Sequence, residues 1–301
     1  MVSVVAPDGA STTSYLYQGN TTKVTSAAGK WKTHEVDVMG NLTKVTEPNP
    51  LGGDFVTTYT YTEKNQLWTV TMTRPTGTQT RTFTYDANGK VLTATNPETG
   101  TVTNTYDSQT GLLQQKVDAR NNKVTYTYDT YKRVTSIRRY EWVIPSWPPG
   151  SPGSYVERAE QMTNFVYDGN GDAGFGATNL AGRLAYVETY SKRGGAAWNA
   201  PGGGNAWETM TFREMYSYTT AGLMTKKRLK ASGRYSPAYP VATDYLESSY
   251  TFDNEGRMTG QTYPAAHDLM GTTEVPGVSF AYGFDAMGRP KTMTQGGATT
   301  L

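Results

Sequence analysis

One short pattern recurs along this chain and limits what it can fold into: an aromatic residue, an aspartate, two or three variable residues, a glycine, then a basic or apolar pair. It reads Tyr85-Asp86-Ala87-Asn88-Gly89, then Tyr106-Asp107-Ser108-Gln109-Thr110-Gly111, then Phe252-Asp253-Asn254-Glu255-Gly256 and Phe284-Asp285-Ala286-Met287-Gly288. Tyr128-Asp129-Thr130-Tyr131-Lys132 keeps the opening pair. Tyrosines 85, 106 and 128 stand 21 and 22 residues apart. Worn copies start at Val36-Asp37, Tyr61-Thr62 and Tyr218-Thr219, and Tyr17-Gln18-Gly19 is a degenerate start. Tyr167-Asp168 reads as a copy split by an insertion from its Gly182-Arg183-Leu184. A fixed period of this length marks stacked supersecondary units.

The physical content of the pattern is a hairpin. The aromatic ends one strand and the Asp carboxylate accepts hydrogen bonds from turn amides. The glycine takes a left-handed conformation that returns the chain to the ladder. In the worn copy at Tyr61, Asn65 stands in for glycine, as the residue next best suited to positive φ. Flanking segments alternate with period two, as in Arg81-Thr82-Phe83-Thr84-Tyr85, where aromatics share one face and threonines the other. No segment holds a helical period. The expected fold is all-β: tandem antiparallel hairpins coiling into a spiral sheet, an open shell or a solenoid segment, over residues 1–301 as a single array.

Composition narrows the function classes. Tyr (22) and Gly (32) are abundant and only 36% of residues are apolar, which suits half-wet pleated surfaces and no thick core. The net charge of +2 gives no field for nucleic acid. The densest basic run, Lys226, Lys227, Arg228 and Lys230, reads as a solvated strand face. With no cysteine, thiolate metal sites, disulfides and thiol nucleophiles are out. No apolar run is long enough for a membrane span, and the first residues lack the pattern of a signal peptide. With only His34 and His267, a multi-histidine metal centre is excluded. No nucleophile elbow, phosphate loop or dinucleotide fingerprint occurs, so catalytic residues and cofactors are expected to be absent. A row of turn aspartates at one rim explains itself as capping without a glycosidase pair.

At these repeated residues the chain resembles the YD-repeat or Rhs-repeat family, which includes bacterial Rhs toxins, the C components of insecticidal toxin complexes, and teneurins. The resemblance runs from about Tyr17 to Arg289. It implies a hollow spiral shell that in bacterial members encloses a toxic polypeptide. It also implies a secreted or cell-surface setting, with protein cargo or flanking repeats of the same parent as partners. The family's self-cleaving Asp-Pro-x-Gly-Leu segment has no counterpart here, so no cleavage residue is carried over. A fragment of a larger shell is the expectation, because about 20 strands at roughly 4.8 Å spacing close a ring too narrow for a folded cargo.

Three insertions break the spacing, near 141–155, 169–181 and 192–207. The first and last are rich in Pro and Gly and hold Trp142, Trp147, Trp198 and Trp207. Those tryptophans either offer a stacking surface for sugar or protein, or fold back to cover the sheet. Asp168-Gly169-Asn170-Gly171-Asp172 has the alternating oxygens of a calcium loop, but Ala173 and Asn179 stand where an EF-hand needs Gly and Glu. It is read as a decorated hairpin loop. The leading function is a structural shell segment that shields or displays another polypeptide. The alternative is a cell-surface module binding carbohydrate or protein.

Overall fold

The computed structural model describes residues 2–6, 11–74, 77–148, 150–169, 172–193, 208–232, 245–267, 274–275, 277–296 and 298–299. The chain divides into two compact units, residues 1–123 and 124–301. In the first lie β1 (Val2–Val5), β2 (Thr12–Gln18), β3 (Thr21–Thr25), β4 (Trp31–Val36), β5 (Leu42–Glu47) and β6 (Phe55–Tyr61). They are followed by β7 (Leu67–Arg74), β8 (Gly77–Tyr85), β9 (Val91–Asn96), β10 (Gly100–Tyr106) and β11 (Leu113–Val117). Each strand pairs antiparallel with the next, from β1 to β11, without a crossover.

β12 (Lys123–Tyr128) is followed in the second unit by β13 (Val134–Val143), β14 (Ser154–Glu157), β15 (Thr163–Tyr167), β16 (Leu184–Arg193), β17 (Glu208–Tyr218) and β18 (Met224–Ser232). Then come β19 (Tyr245–Phe252), β20 (Met258–Thr262), β21 (Ala266–His267), β22 (Glu274–Val275), β23 (Ser279–Phe284), β24 (Pro290–Gln295) and β25 (Ala298–Thr299). The antiparallel order is again sequential, with two side branches. β14 pairs with the outer end of β13 while β15 takes its inner end. The β21–β22 pair stands apart, and β20 pairs with β23. The fold is therefore all-β and built of tandem antiparallel hairpins. Among the described residues the only helical turns are 3-10, at Ala159–Gln161 and Ala173–Phe175. Among the described residues no helix is long and apolar enough to cross a membrane.

Alternation sorts the first unit into two unlike faces. Register places Thr60, Thr69, Thr82, Thr95 and Thr101 in one row across five strands. Threonine hydroxyls pair across strands on this face: Thr60–Thr69 at 2.7 Å, Thr84–Thr93 at 2.6 Å and Thr95–Thr101 at 2.9 Å. Such cross-strand pairs each add a few tenths to about 1 kcal/mol. The opposite face carries Phe55, Tyr59, Val70, Met72, Phe83 and Val102, all half-buried. Val45 is the one apolar side chain of this unit that is buried among the described residues.

The second unit has a small core, and an insertion supplies it. Phe175 and Leu180 are buried, as are Ala185 of β16 and Met215 of β17. The decorated hairpin loop lies back over β17 and β18. The Thr178 amide donates to Ser217 Oγ (3.1 Å), and Asn179 Nδ2 donates to the Tyr218 carbonyl (2.7 Å). The reason is apolar burial: Phe175 and Leu180 each gain roughly 1.5–3 kcal/mol by leaving water.

Candidate functional site

The recurring turn is the most regular chemical feature of the chain. In the turn after β8, the Asp86 amide donates to the Lys90 carbonyl (2.9 Å) and the Gly89 amide to the Asp86 carbonyl (3.1 Å). Asp86 Oδ1 accepts from the amides of Asn88 (2.9 Å) and Lys90 (2.8 Å). One carboxylate oxygen thus satisfies two donors that a two-strand ladder leaves over. The same pair of bonds recurs at Asp37, Asp129, Asp253 and Asp285. In the longer turn at Asp107 the amides of Gln109 and Thr110 replace them. A register shift at the aromatic marks the bulge in these hairpins, for example between Thr84 and Tyr85. Gly89 takes φ +85°; Lys132 holds the equivalent position at φ +65°.

The residue after the positive-φ position closes the carboxylate. Nε of Arg133, Arg257 and Arg289 donates to Asp129, Asp253 and Asp285 at 2.7, 2.6 and 2.7 Å. These contacts set the acidities. Asp37 is held below the usual carboxylate range by the Asn41 side chain first and by backbone amides next. Asp107 is held down mainly by the Thr110 amide and hydroxyl, and Asp285 by the Arg289 amide and guanidinium. At Asp129 and Asp253 partial desolvation pushes upward, and the arginine and amide donors together outweigh it. A general acid at neutral pH needs the opposite shift.

Sequence reasoning missed what joins one repeat to the next. Tyr85 Oη donates to the Leu67 carbonyl (2.7 Å), Tyr61 Oη to Leu42 (2.8 Å), Tyr106 Oη to Val91 (3.0 Å) and Tyr218 Oη to Leu184 (2.9 Å). In each case the acceptor is the first strand residue after the preceding turn. Where the residue just before that acceptor position is a cation, it lies over the next aromatic ring: Lys90 on Tyr106 (5.3 Å), Arg133 on Tyr167 (4.3 Å), Arg183 on Tyr218 (5.7 Å) and Arg257 on Phe284 (5.1 Å). Glycine has a second use here. A Cβ at Gly111 would collide with Lys90 Nζ, and one at Gly288 would lie 3.0 Å from Arg257. The signal was present as the choice of Tyr over Phe, but only register shows which carbonyl the hydroxyl meets.

The split copy is reassembled. The Asp168 amide donates to the Arg183 carbonyl (3.1 Å) and Asp168 Oδ1 accepts from the Gly182 amide (2.5 Å), closing the turn across the insertion. Asp168 Oδ2 accepts from Arg133 (2.6 Å), which holds its carboxyl below the usual range. Asp172 accepts from Lys230 Nζ (2.8 Å) and caps the 3-10 turn through the Gly174 amide (3.0 Å). The two carboxylates of the calcium-like stretch therefore face different cations, and Asn170 lies outside the described residues.

The basic run is ion-paired, with its lysines part-exposed and its arginine buried. Lys227 pairs with Glu214 (3.0 Å) and Lys226 with Glu247 (3.8 Å). Arg228 is buried, bound to Glu247 (2.6 Å), and sits against the rings of Phe175 (4.9 Å) and Tyr245 (3.8 Å). Of the tryptophans, Trp142 packs edge-on against Tyr155 (5.0 Å) and Trp147 stands exposed. Trp198 and Trp207 lie outside the described residues. His34 lines an open groove of about 610 Å³ with Val24, Trp31, Pro48 and Phe55.

Fold and turns together define a tandem-hairpin β-repeat protein whose repeats are stitched through tyrosine hydroxyls and cation–ring contacts. Neither a protein-family model nor a curated relative matches the chain. Among solved structures it is similar to a chain of the Photorhabdus luminescens Tc holotoxin pore: 14% identity over 98% of this chain and 17% of that one, TM-score 0.46. It is also similar to the TcdB2-TccC3 crystal structure, at 14% identity over 98% and 18%, TM-score 0.43. A porin-like protein from Bacteroides uniformis matches at 17% identity over 52% of this chain and 80% of that one, TM-score 0.29. The chain spans less than a fifth of the toxin chains it matches.

Proposed function

We propose that the chain is a non-catalytic wall segment of the YD-repeat kind, part of a coiled sheet that shields or displays another polypeptide. The observation that carries this is the apolar face of residues 1–123, over which the described residues of that unit lay no second layer. A sheet with one apolar face must bury it against a second layer. Here Tyr59, Val70, Met72 and Phe83 form such a face and remain half-buried, and among the described residues of this unit no second layer of helix or sheet lies over them. Tyrosine adds apolar body with a polar tip, which suits a cargo that is unfolded or partly folded. The repeat-to-repeat stitches supply the stiffness that a single layer lacks.

The test is direct. The full chain is mixed with a reduced, carboxymethylated (permanently unfolded) polypeptide and followed by sedimentation and tryptic digestion. A complex that slows digestion, and that weakens when Val70 and Phe83 are changed to Lys, supports the reading. Absence of any complex refutes it, as does binding confined to a glycan array.

A further inference from the structure

The β13–β14 hairpin ends in a tip that the repeat geometry does not require. From Trp142 to Val156, fifteen residues pass without one charged side chain. Ile144 is 68% exposed and Trp147 78%, so the apolar groups face outward and not onto the sheet. Charge stops at the stem, where Glu141 pairs with Arg158 and Glu157 with Arg138 (3.1 Å), while Arg139 donates to the Gln161 carbonyl.

The backbone of the tip is equally short of exposed polarity. Prolines 145, 148, 149 and 152 carry no N–H. Val143 and Trp142 are laddered to Ser154 and Tyr155. The Ser151 amide and hydroxyl both donate to the Pro148 carbonyl, at 3.2 and 2.7 Å. Unsatisfied amides are what keep irregular loops out of apolar media; here four positions lack one as proline and the Ser151 amide is satisfied within the loop. The amides that remain, such as those of Ile144, Ser146 and Trp147, can meet lipid ester carbonyls and water at the headgroup boundary. Tryptophan, with an apolar body and one N–H, settles at that boundary.

We infer that this tip docks the protein on a lipid bilayer, inserting Ile144 and Trp147 at the boundary between headgroups and acyl chains without spanning it. Since the tip itself is uncharged, attachment rests on apolar burial and not on anionic lipid.

Flotation of the full chain with phosphatidylcholine vesicles, and with vesicles also containing phosphatidylserine, tests this in low and high salt. The chain is expected to float with both, with little effect of salt. Ile144→Asp and Trp147→Asp each lower the partition coefficient about tenfold or more, from lost apolar burial. Leu51→Asp, at a still more exposed apolar residue in another turn, leaves it unchanged. Circular dichroism of each variant confirms an intact sheet. A chain that stays unbound to both vesicles, as a tip made for a protein groove would leave it, overturns the inference. So does flotation that survives both tip substitutions, or that needs phosphatidylserine.

Discussion

Tyr85→Phe isolates the stitch between repeats. The substitution keeps the ring and its packing and removes one hydroxyl, which donates at 2.7 Å to the Leu67 carbonyl. That hydroxyl is partly desolvated, as burial pushes its pKa upward. A net hydrogen bond of this kind contributes about 1 kcal/mol. The same change at Tyr61 and Tyr106 removes the bonds to Leu42 and Val91. The three sites belong to successive repeats with separate acceptors, so their costs should add to about 3 kcal/mol. At about 2.1 cal/mol/K per residue, a loss of that size lowers Tm by about 12 °C if residues 1–123 melt alone, and about 5 °C if all 301 melt together. Differential scanning calorimetry of the triple variant reads this, and which value appears reports the cooperative unit. The reverse change, Phe284→Tyr, should raise stability by about 1 kcal/mol if its hydroxyl finds the Met258 carbonyl. A triple variant melting within about 1 °C of the parent would refute the stitch.

Four further outcomes are expected. Lys132→Gly relieves a left-handed non-glycine residue (φ +65°) and should stabilise by about 1 kcal/mol in urea unfolding. Gly100→Ala should cost more than Gly111→Ala in the same assay: a Cβ at Gly100 meets the rigid Ala119 Cβ, whereas at Gly111 it meets the movable end of Lys90. Phe175→Ala should cost about 3–5 kcal/mol and expose residues 172–182 to protease, since Phe175 anchors that insertion. For pH, Asp37, Asp129 and Asp285 have folded pKa values depressed below the ordinary 3.8, so their contribution is complete above that value and is lost as pH falls through the folded ones. Tm should therefore stay level from about pH 7 to about 5 and drop below about pH 4, and Asp129→Asn should flatten the drop.

What was legible in the amino-acid order is what depends on neighbours a few residues apart. A carboxylate that accepts from amides two and four positions on, a glycine at positive φ and the period of two are local, so the hairpins and their two unlike faces could be written down from residues such as Arg81–Tyr85. Three things were beyond that reach. The Tyr85 hydroxyl meets a carbonyl 18 residues back, and only strand register selects it. Arg228 sits in a run that reads as a wet surface, yet it is buried because an insertion more than 50 residues earlier brings Phe175 and the Gly174 carbonyl (3.1 Å) over it. That insertion reads as loop because its apolar residues, Phe175 and Leu180, are too few to show a period. Turn chemistry is encoded where it acts, whereas burial and repeat-to-repeat contacts depend on segments distant in the chain, and tertiary structure alone brings those together.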